Sequence, residues 1–187
     1  MESVVIREDG KVALKEMERP VIGEHQLLVR VKRAGICGTD LKLYTGNYPL
    51  DKNSLPLVLG HEFMGEVVQI GEKVAKAAVG DRIVAYPTYN SCGECRYCTR
   101  GEFNLCQTRK RIGFDYHGVF AEFVRLNEHQ IFRIPDTVSD DAGALIEPLT
   151  VAVRGVGKVE LKPTDTVLVT GPGAIGLLTA LVAKQYG

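Results

Sequence analysis

With 187 residues, 23 basic against 23 acidic side chains and no formal net charge, the chain lacks the basic excess that nucleic acid or an anionic membrane surface would select. Apolar residues make up 45% of it, enough for a globular core in one or two domains, and no apolar run reaches membrane-spanning length. The opening Met-Glu-Ser-Val-Val-Ile carries neither the basic region nor the apolar stretch of an export signal, so the expected location is the cytoplasm.

Val4-Val5-Ile6 and Val12-Ala13-Leu14 flank Asp9-Gly10, a strong hairpin signal. Pro20 and Gly23 break the chain, and Leu27 to Ala34 follows as a strand, with Val29 and Val31 on one face and Arg30 and Lys32 on the other. Val67–Ile70, Ile83–Ala85, Phe120–Val124 and Ile131–Ile134 continue the series of short strands, joined by glycine-rich connections. Up to about residue 135 the pattern predicts a mainly β, partly open barrel-like domain.

Beyond Pro135 the character changes. Ser139 can cap a short helix whose first turn holds Asp140 and Asp141. Glu147-Pro148 starts another, with Pro148 suited to the first helical position, Leu149, Ala152, Val153 and Val156 on one face, and Gly157 as its stop. Thr166–Thr170 reads as an apolar strand of the kind buried in a parallel sheet, running into a glycine-rich turn and an apolar helix that ends at Gly187. One strand and one helix cannot cover a doubly wound sheet, so the chain is expected to be a fragment that holds only the first βα unit of an α/β Rossmann domain.

Two motifs carry chemistry of their own. Cys92, Cys95, Cys98 and Cys106 are spaced C-x2-C-x2-C-x7-C, close enough for four thiolates to wrap one Zn²⁺, with Gly93 and Gly101 allowing the tight turns. The odd cysteine count and this clustering point to reduced thiols and metal ligation rather than disulfides. Gly171-Pro-Gly173-Ala174-Ile175-Gly176 follows a strand and opens a helix, the context in which such a run cradles a dinucleotide pyrophosphate at a helix N-terminus. The acidic residue that would separate NAD from NADP falls beyond the end of the chain.

Cys37-Gly-Thr39-Asp40, Gly60-His61-Glu62-Phe-Met-Gly65 continuing to Gly71 and Val74, the four-cysteine lobe and the nucleotide turn stand in one order. Together they resemble the zinc-dependent medium-chain alcohol dehydrogenases over essentially the whole chain. The resemblance implies a GroES-like catalytic domain over residues 1–147, with its structural zinc lobe at 90–110, and a linking helix and truncated nucleotide-binding domain over 148–187. It implies a second, catalytic zinc near Cys37, His61 and Glu62, with Glu147 as a direct ligand or as the holder of a bound water. Glu62 has an alternative role as an outer carboxylate orienting the ligands, and the resemblance implies that Asp40 is such a partner, accepting the free ring N–H of His61. Thr39 resembles the hydroxyl that passes the released proton outward. Lys42 stands where many members carry a histidine, leaving the lysine or water to continue the relay.

Glu147-Pro148-Leu149 resembles the sorbitol, polyol and threonine dehydrogenase branch. The implied reaction is hydride transfer from a secondary alcohol to NAD(P)⁺, in a homo-oligomer, dimer or tetramer. A zinc-binding scaffold or an interaction module without turnover are the rival readings. Tyr44 and Tyr48 either line a pocket or pack. Arg109-Lys110-Arg111 reads as a solvated turn beside the lobe, and His25, His117 and His129 as surface or hydrogen-bonded structural groups.

Overall fold

The computed structural model describes residues 1–186, Lys52 by its backbone alone. The first hairpin forms where Asp9-Gly10 directs it: β1 (Glu2–Ile6) pairs antiparallel with β2 (Val12–Glu16) in the register Ile6↔Val12 and Val4↔Leu14. The Asp9 carboxylate accepts the Lys11 amide N–H and so ties the turn. A short strand, β4 (Leu57–Val58), completes a three-stranded sheet in the order β2-β1-β4.

The larger sheet is open, antiparallel and five-stranded. Its long members are β3 (Gln26–Gly35) and β5 (Glu62–Ile70), flanked by β6 (Arg82–Ala85), β9 (Phe123–Asn127) and β10 (Ile131–Arg133) in the order β10-β6-β5-β3-β9. β9 begins three residues later than the apolar run suggests, because Ala121 instead bridges Ser3 of the first sheet. β7 (Thr88–Asn90) and β8 (Lys110–Arg111) form a two-stranded ribbon at the base of the cysteine lobe.

Two cores hold this part together. Leu27, Val29, Phe63, Val67, Ile83, Val124 and Leu126 fill one beneath the large sheet. Ile6, Leu43, Leu57, Leu59 and Phe114 form the other, and Leu43 anchors there the short helix α1 (Gly38–Tyr44) that follows β3. Fully burying side chains of this size stabilises the fold by roughly 1.5–3 kcal/mol each. α2 (Asp140–Ala144) is capped by Ser139, whose Oγ accepts the Ala142 N–H at 3.2 Å.

The chain divides into two compact units after Ala144. In the second, α3 (Ile146–Val156) begins two residues ahead of Pro148, so proline is its third residue rather than its first. The substitution of position costs nothing, since the first four helical amides lack intrahelical acceptors anyway. Its buried face is Pro148, Ala152 and Val156, while Val153 is 49% exposed. Thr166–Thr170 pairs with no strand among the described residues, so the expected strand does not form here; the run is exposed except at the half-buried Val169, and Leu168 is 87% exposed, as an apolar segment without its sheet would be. A strand exists only through its ladder partner. α4 (Ala174–Ala183) opens at the glycine-rich turn and closes in a 3₁₀ turn, Lys184–Tyr186. The expected helix end at Gly187 lies outside the described residues. No helix among them is long and apolar enough to cross a membrane.

Candidate metal centre

The β3–β5 ladder ends with Ala34 opposite Phe63 and Gly35 opposite Glu62. Cys37 therefore leaves β3 just past the last pair, and His61 enters β5 just before it. Gly60 makes the entry possible: its φ is +88°, and a Cβ there would overlap the Phe120 ring. One ligand atom from each of Cys37, His61 and Glu62 lies within 4.8 Å of the others, with His61 and Glu62 buried and Cys37 half-buried.

Around this trio the polar groups are arranged but incompletely paired. Asp40, third residue of α1, accepts the Cys37 N–H through Oδ2 at 2.8 Å. Its other oxygen, Oδ1, lies 3.8 Å from His61 Nδ1, and both atoms are buried without a hydrogen-bond partner. The Thr39 hydroxyl lies 3.7 Å from Cys37 Sγ. Burial pushes the Cys37 thiol and the Glu62 carboxyl up, the Asp40 carboxyl likewise. Burial also pushes the His61 imidazole down; the Asp40 charge opposes this and the Arg111 charge adds to it. A dication fits such a set, since it stabilises thiolate and carboxylate and coordinates neutral imidazole.

The four-cysteine lobe passes a sharper geometric test. Tetrahedral zinc with Zn–S bonds of about 2.3 Å sets its sulfurs about 3.8 Å apart. Sγ of Cys92 lies 3.8 Å from Cys98 and 3.7 Å from Cys106, and Cys95 lies 3.6 Å from Cys98. Gly93 and Gly101 both take left-handed φ, at +79° and +75°, as the turns around an ion need. The Cys92 amide and the Thr108 hydroxyl hold the Cys106 thiol down to about 6, while burial pushes Cys98 up to about 11.

At the glycine-rich turn, Gly171 has φ +91° and Gly173 caps α4 in extended conformation. A Cβ on Gly176 would collide with the Gly171 carbonyl, so this glycine closes the helix onto the turn. Ala174 and Ile175 are the first residues of α4, where amide N–H groups are available to an anion. Glu147 stands in the first turn of α3, in the second unit. Lys42 is exposed on α1, as is Tyr44, whereas Tyr48 is half-buried with its ring centroid 5.8 Å from that of Phe114. His117 accepts the Val58 N–H at 3.2 Å, a structural role.

Phe114 is the site residue that motif reading passes over: its ring centroid lies 4.9 Å from that of His61. It belongs to no spaced motif and sits in an irregular turn, where hydrophobic periodicity carries no signal.

The first unit thus combines an antiparallel sheet bearing a Cys-His-Glu trio with a four-thiol lobe, and the second unit contains a glycine-rich helix start. The chain belongs to the alcohol dehydrogenase GroES-like domain family, whose model matches residues 23–136. It is 43% identical to the sorbitol dehydrogenase of Halalkalibacterium halodurans over 178 residues, covering 95% of this chain and 51% of that protein. It is 36% identical to the L-threonine 3-dehydrogenase of Pseudoalteromonas atlantica over 183 residues, covering 97% and 53% respectively. A solved structure described as a zinc-binding dehydrogenase from Sinorhizobium meliloti, bound to NADP, superposes with a TM-score of 0.92 at 39% identity, over 100% of this chain and 53% of that one. The chain thus spans about half the length of the curated relatives it matches.

Proposed function

We propose that this chain supplies the metal-binding domain and the opening of the nucleotide domain of a zinc-dependent oxidoreductase that transfers hydride from a secondary alcohol to NAD(P)⁺. The observation that carries this reading is the convergence of Cys37, His61 and Glu62 within 4.8 Å at the end of the β3–β5 ladder. Residues 1–147 form the catalytic domain in this reading, with a structural lobe at 90–110, and 148–187 lead into the nucleotide domain.

Cys92, Cys95, Cys98 and Cys106 would hold a structural zinc, and Cys37, His61 and Glu62 a catalytic one, with Glu147 as a further ligand or as holder of a bound water. Zinc held by the trio supplies Lewis acidity toward a substrate hydroxyl oxygen. The chain's own residues do the rest. Asp40 fixes the Cys37 backbone, and its free Oδ1, 3.8 Å from His61 Nδ1, would orient the imidazole once the ring closes on a metal. Thr39 accepts the proton that the substrate hydroxyl gives up and passes it outward. Phe114, packed on His61, excludes water from that side. The backbone of Gly171, Gly173, Ala174, Ile175 and Gly176 would hold the cofactor pyrophosphate.

Polyols, sugar alcohols or hydroxy amino acids are the substrate class, in keeping with the sorbitol and threonine relatives. The five free thiols support a reducing, cytoplasmic setting, and the protein would act there as a homodimer or homotetramer. Zinc content per purified chain tests the core of the reading. Two zincs in the wild type and one in Cys37→Ser are expected; one zinc in both would overturn the catalytic site and leave only the lobe.

A further inference from the structure

The basic run Arg109-Lys110-Arg111 is not one solvated turn. Lys110 points to solvent and pairs with Asp115 at 3.5 Å, and Arg109 donates to the Cys106 carbonyl at 3.1 Å. Arg111 turns inward instead. Its guanidinium carbon lies 4.3 Å from the centroid of the Phe114 ring, the ring that packs against His61. Arg111 Nη2 donates to the Tyr48 hydroxyl at 3.3 Å, and Tyr48 rests on the same ring. Arg111 Nε is buried and has no hydrogen-bond partner; the nearest carboxylate oxygen, Oδ2 of Asp115, is 3.7 Å away.

A cation is therefore held by an aromatic face and a phenol one ring away from the metal-ligand trio. Asp115 is shared by Lys110 and Arg111, so the turn sets two cations against one anion. Nε, closed to solvent beside Asp115, is not open to a ligand, but the side chain as a whole is 27% exposed, and a guanidinium's planar fork matches a carboxylate or phosphate. Packing on Phe114 accounts for the position of the guanidinium plane but satisfies no N–H.

We propose that Arg111 is a specificity-determining residue: it donates hydrogen bonds to an anionic group, phosphate or carboxylate, carried by the alcohol substrate away from its reacting hydroxyl. Tyr48 holds the guanidinium in place for that contact. The inference rests on the dehydrogenase reading above and narrows its substrates to anionic alcohols.

The whole protein is assayed with D-sorbitol, D-sorbitol 6-phosphate and D-gluconate, as wild type, Arg111→Gln and Arg111→Lys. The wild type is expected to favour one anionic substrate over sorbitol, which one telling phosphate from carboxylate. In Arg111→Gln the ratio of kcat/KM, anionic over neutral, should fall about 10- to 100-fold, mostly through KM. Arg111→Lys should recover part of it, keeping the charge without the fork. A ratio within threefold of wild type in Arg111→Gln reduces Arg111 to packing and overturns the proposal. If no alcohol is turned over, the dehydrogenase reading fails separately, and calorimetric titration with the two anionic probes decides this one. Binding to the wild type that Arg111→Gln abolishes sustains it; no binding to the wild type, or binding that Arg111→Gln retains, overturns it.

Discussion

Replacing Asp40 by Asn tests how the centre is tuned, because it changes one atom's hydrogen-bonding sense with almost no change of shape. Asp40 Oδ1 and His61 Nδ1 face each other 3.8 Å apart, both buried and neither with a hydrogen-bond partner, so a small approach on metal binding would pair them. A carboxylate there can only accept, so it selects the imidazole tautomer with its proton on Nδ1 and leaves the Nε2 lone pair for a metal. In Asp40→Asn the side-chain oxygen can still take the Cys37 N–H, which turns the NH₂ group toward His61. That group donates to Nδ1 and shifts the ring proton to Nε2, the tautomer that cannot ligate through Nε2. Loss of such an orienting partner typically lowers metal affinity 10- to 100-fold, or about 1.4–2.7 kcal/mol. Chelator competition on the zinc-loaded protein should show one of two zincs weakened by that factor, with the other unchanged. Far-UV circular dichroism controls for folding. Affinity of both zincs within threefold of wild type would refute the tautomer argument.

Gly60→Ala should destabilise the first unit by about 2–5 kcal/mol, the sum of left-handed strain and overlap with Phe120; an unchanged thermal midpoint would show that Phe120 yields. Glu128 accepts N–H bonds from Lys76 and Ala75, and the Lys76 amide foremost holds its carboxyl below the ordinary 4.5. Its contribution is therefore full above pH 4.5 and lost as pH falls through the lower folded value, so the urea-midpoint gap between wild type and Glu128→Gln should close in acid. A gap that stays constant from pH 6 to 3 would refute that.

What could be read from the sequence divides along a physical line. The cysteine lobe is legible because its four thiols are neighbours in the chain, so spacing alone nearly sets their distances, and the paired sulfurs do sit 3.6–3.8 Å apart. The hairpin at Asp9-Gly10 and the Ser139 cap are local in the same sense. The position of Arg111 is not local: three consecutive basic residues look alike in sequence, and only the ribbon β7–β8 turns the third onto Phe114. The apolar run Thr166–Thr170 errs in the other direction. Composition reports what a segment is suited to pair with, whereas a ladder depends on a partner strand.

The Cys37–His61 approach lies between these cases, and β-sheet register explains it. Along β3–β5 the pairing shifts between Leu28 and Val29, leaving Val68 of β5 unpaired, and shifts back between Val31 and Arg33, leaving Lys32 of β3 unpaired. The two bulges are opposite in sense and cancel. Leu27↔Ile70 and Gly35↔Glu62 therefore belong to one register, although the strands are offset by a residue between them. Either bulge alone would slide the ladder's end by one residue and turn a ligand to the other face. The bulges add local twist where Gly65 lets β5 close on β3, with the Arg30 carbonyl 2.7 Å from where a Cβ would stand. Motif spacing names the candidate ligands, but it is this compensated pair of irregularities that brings thiol, imidazole and carboxylate together.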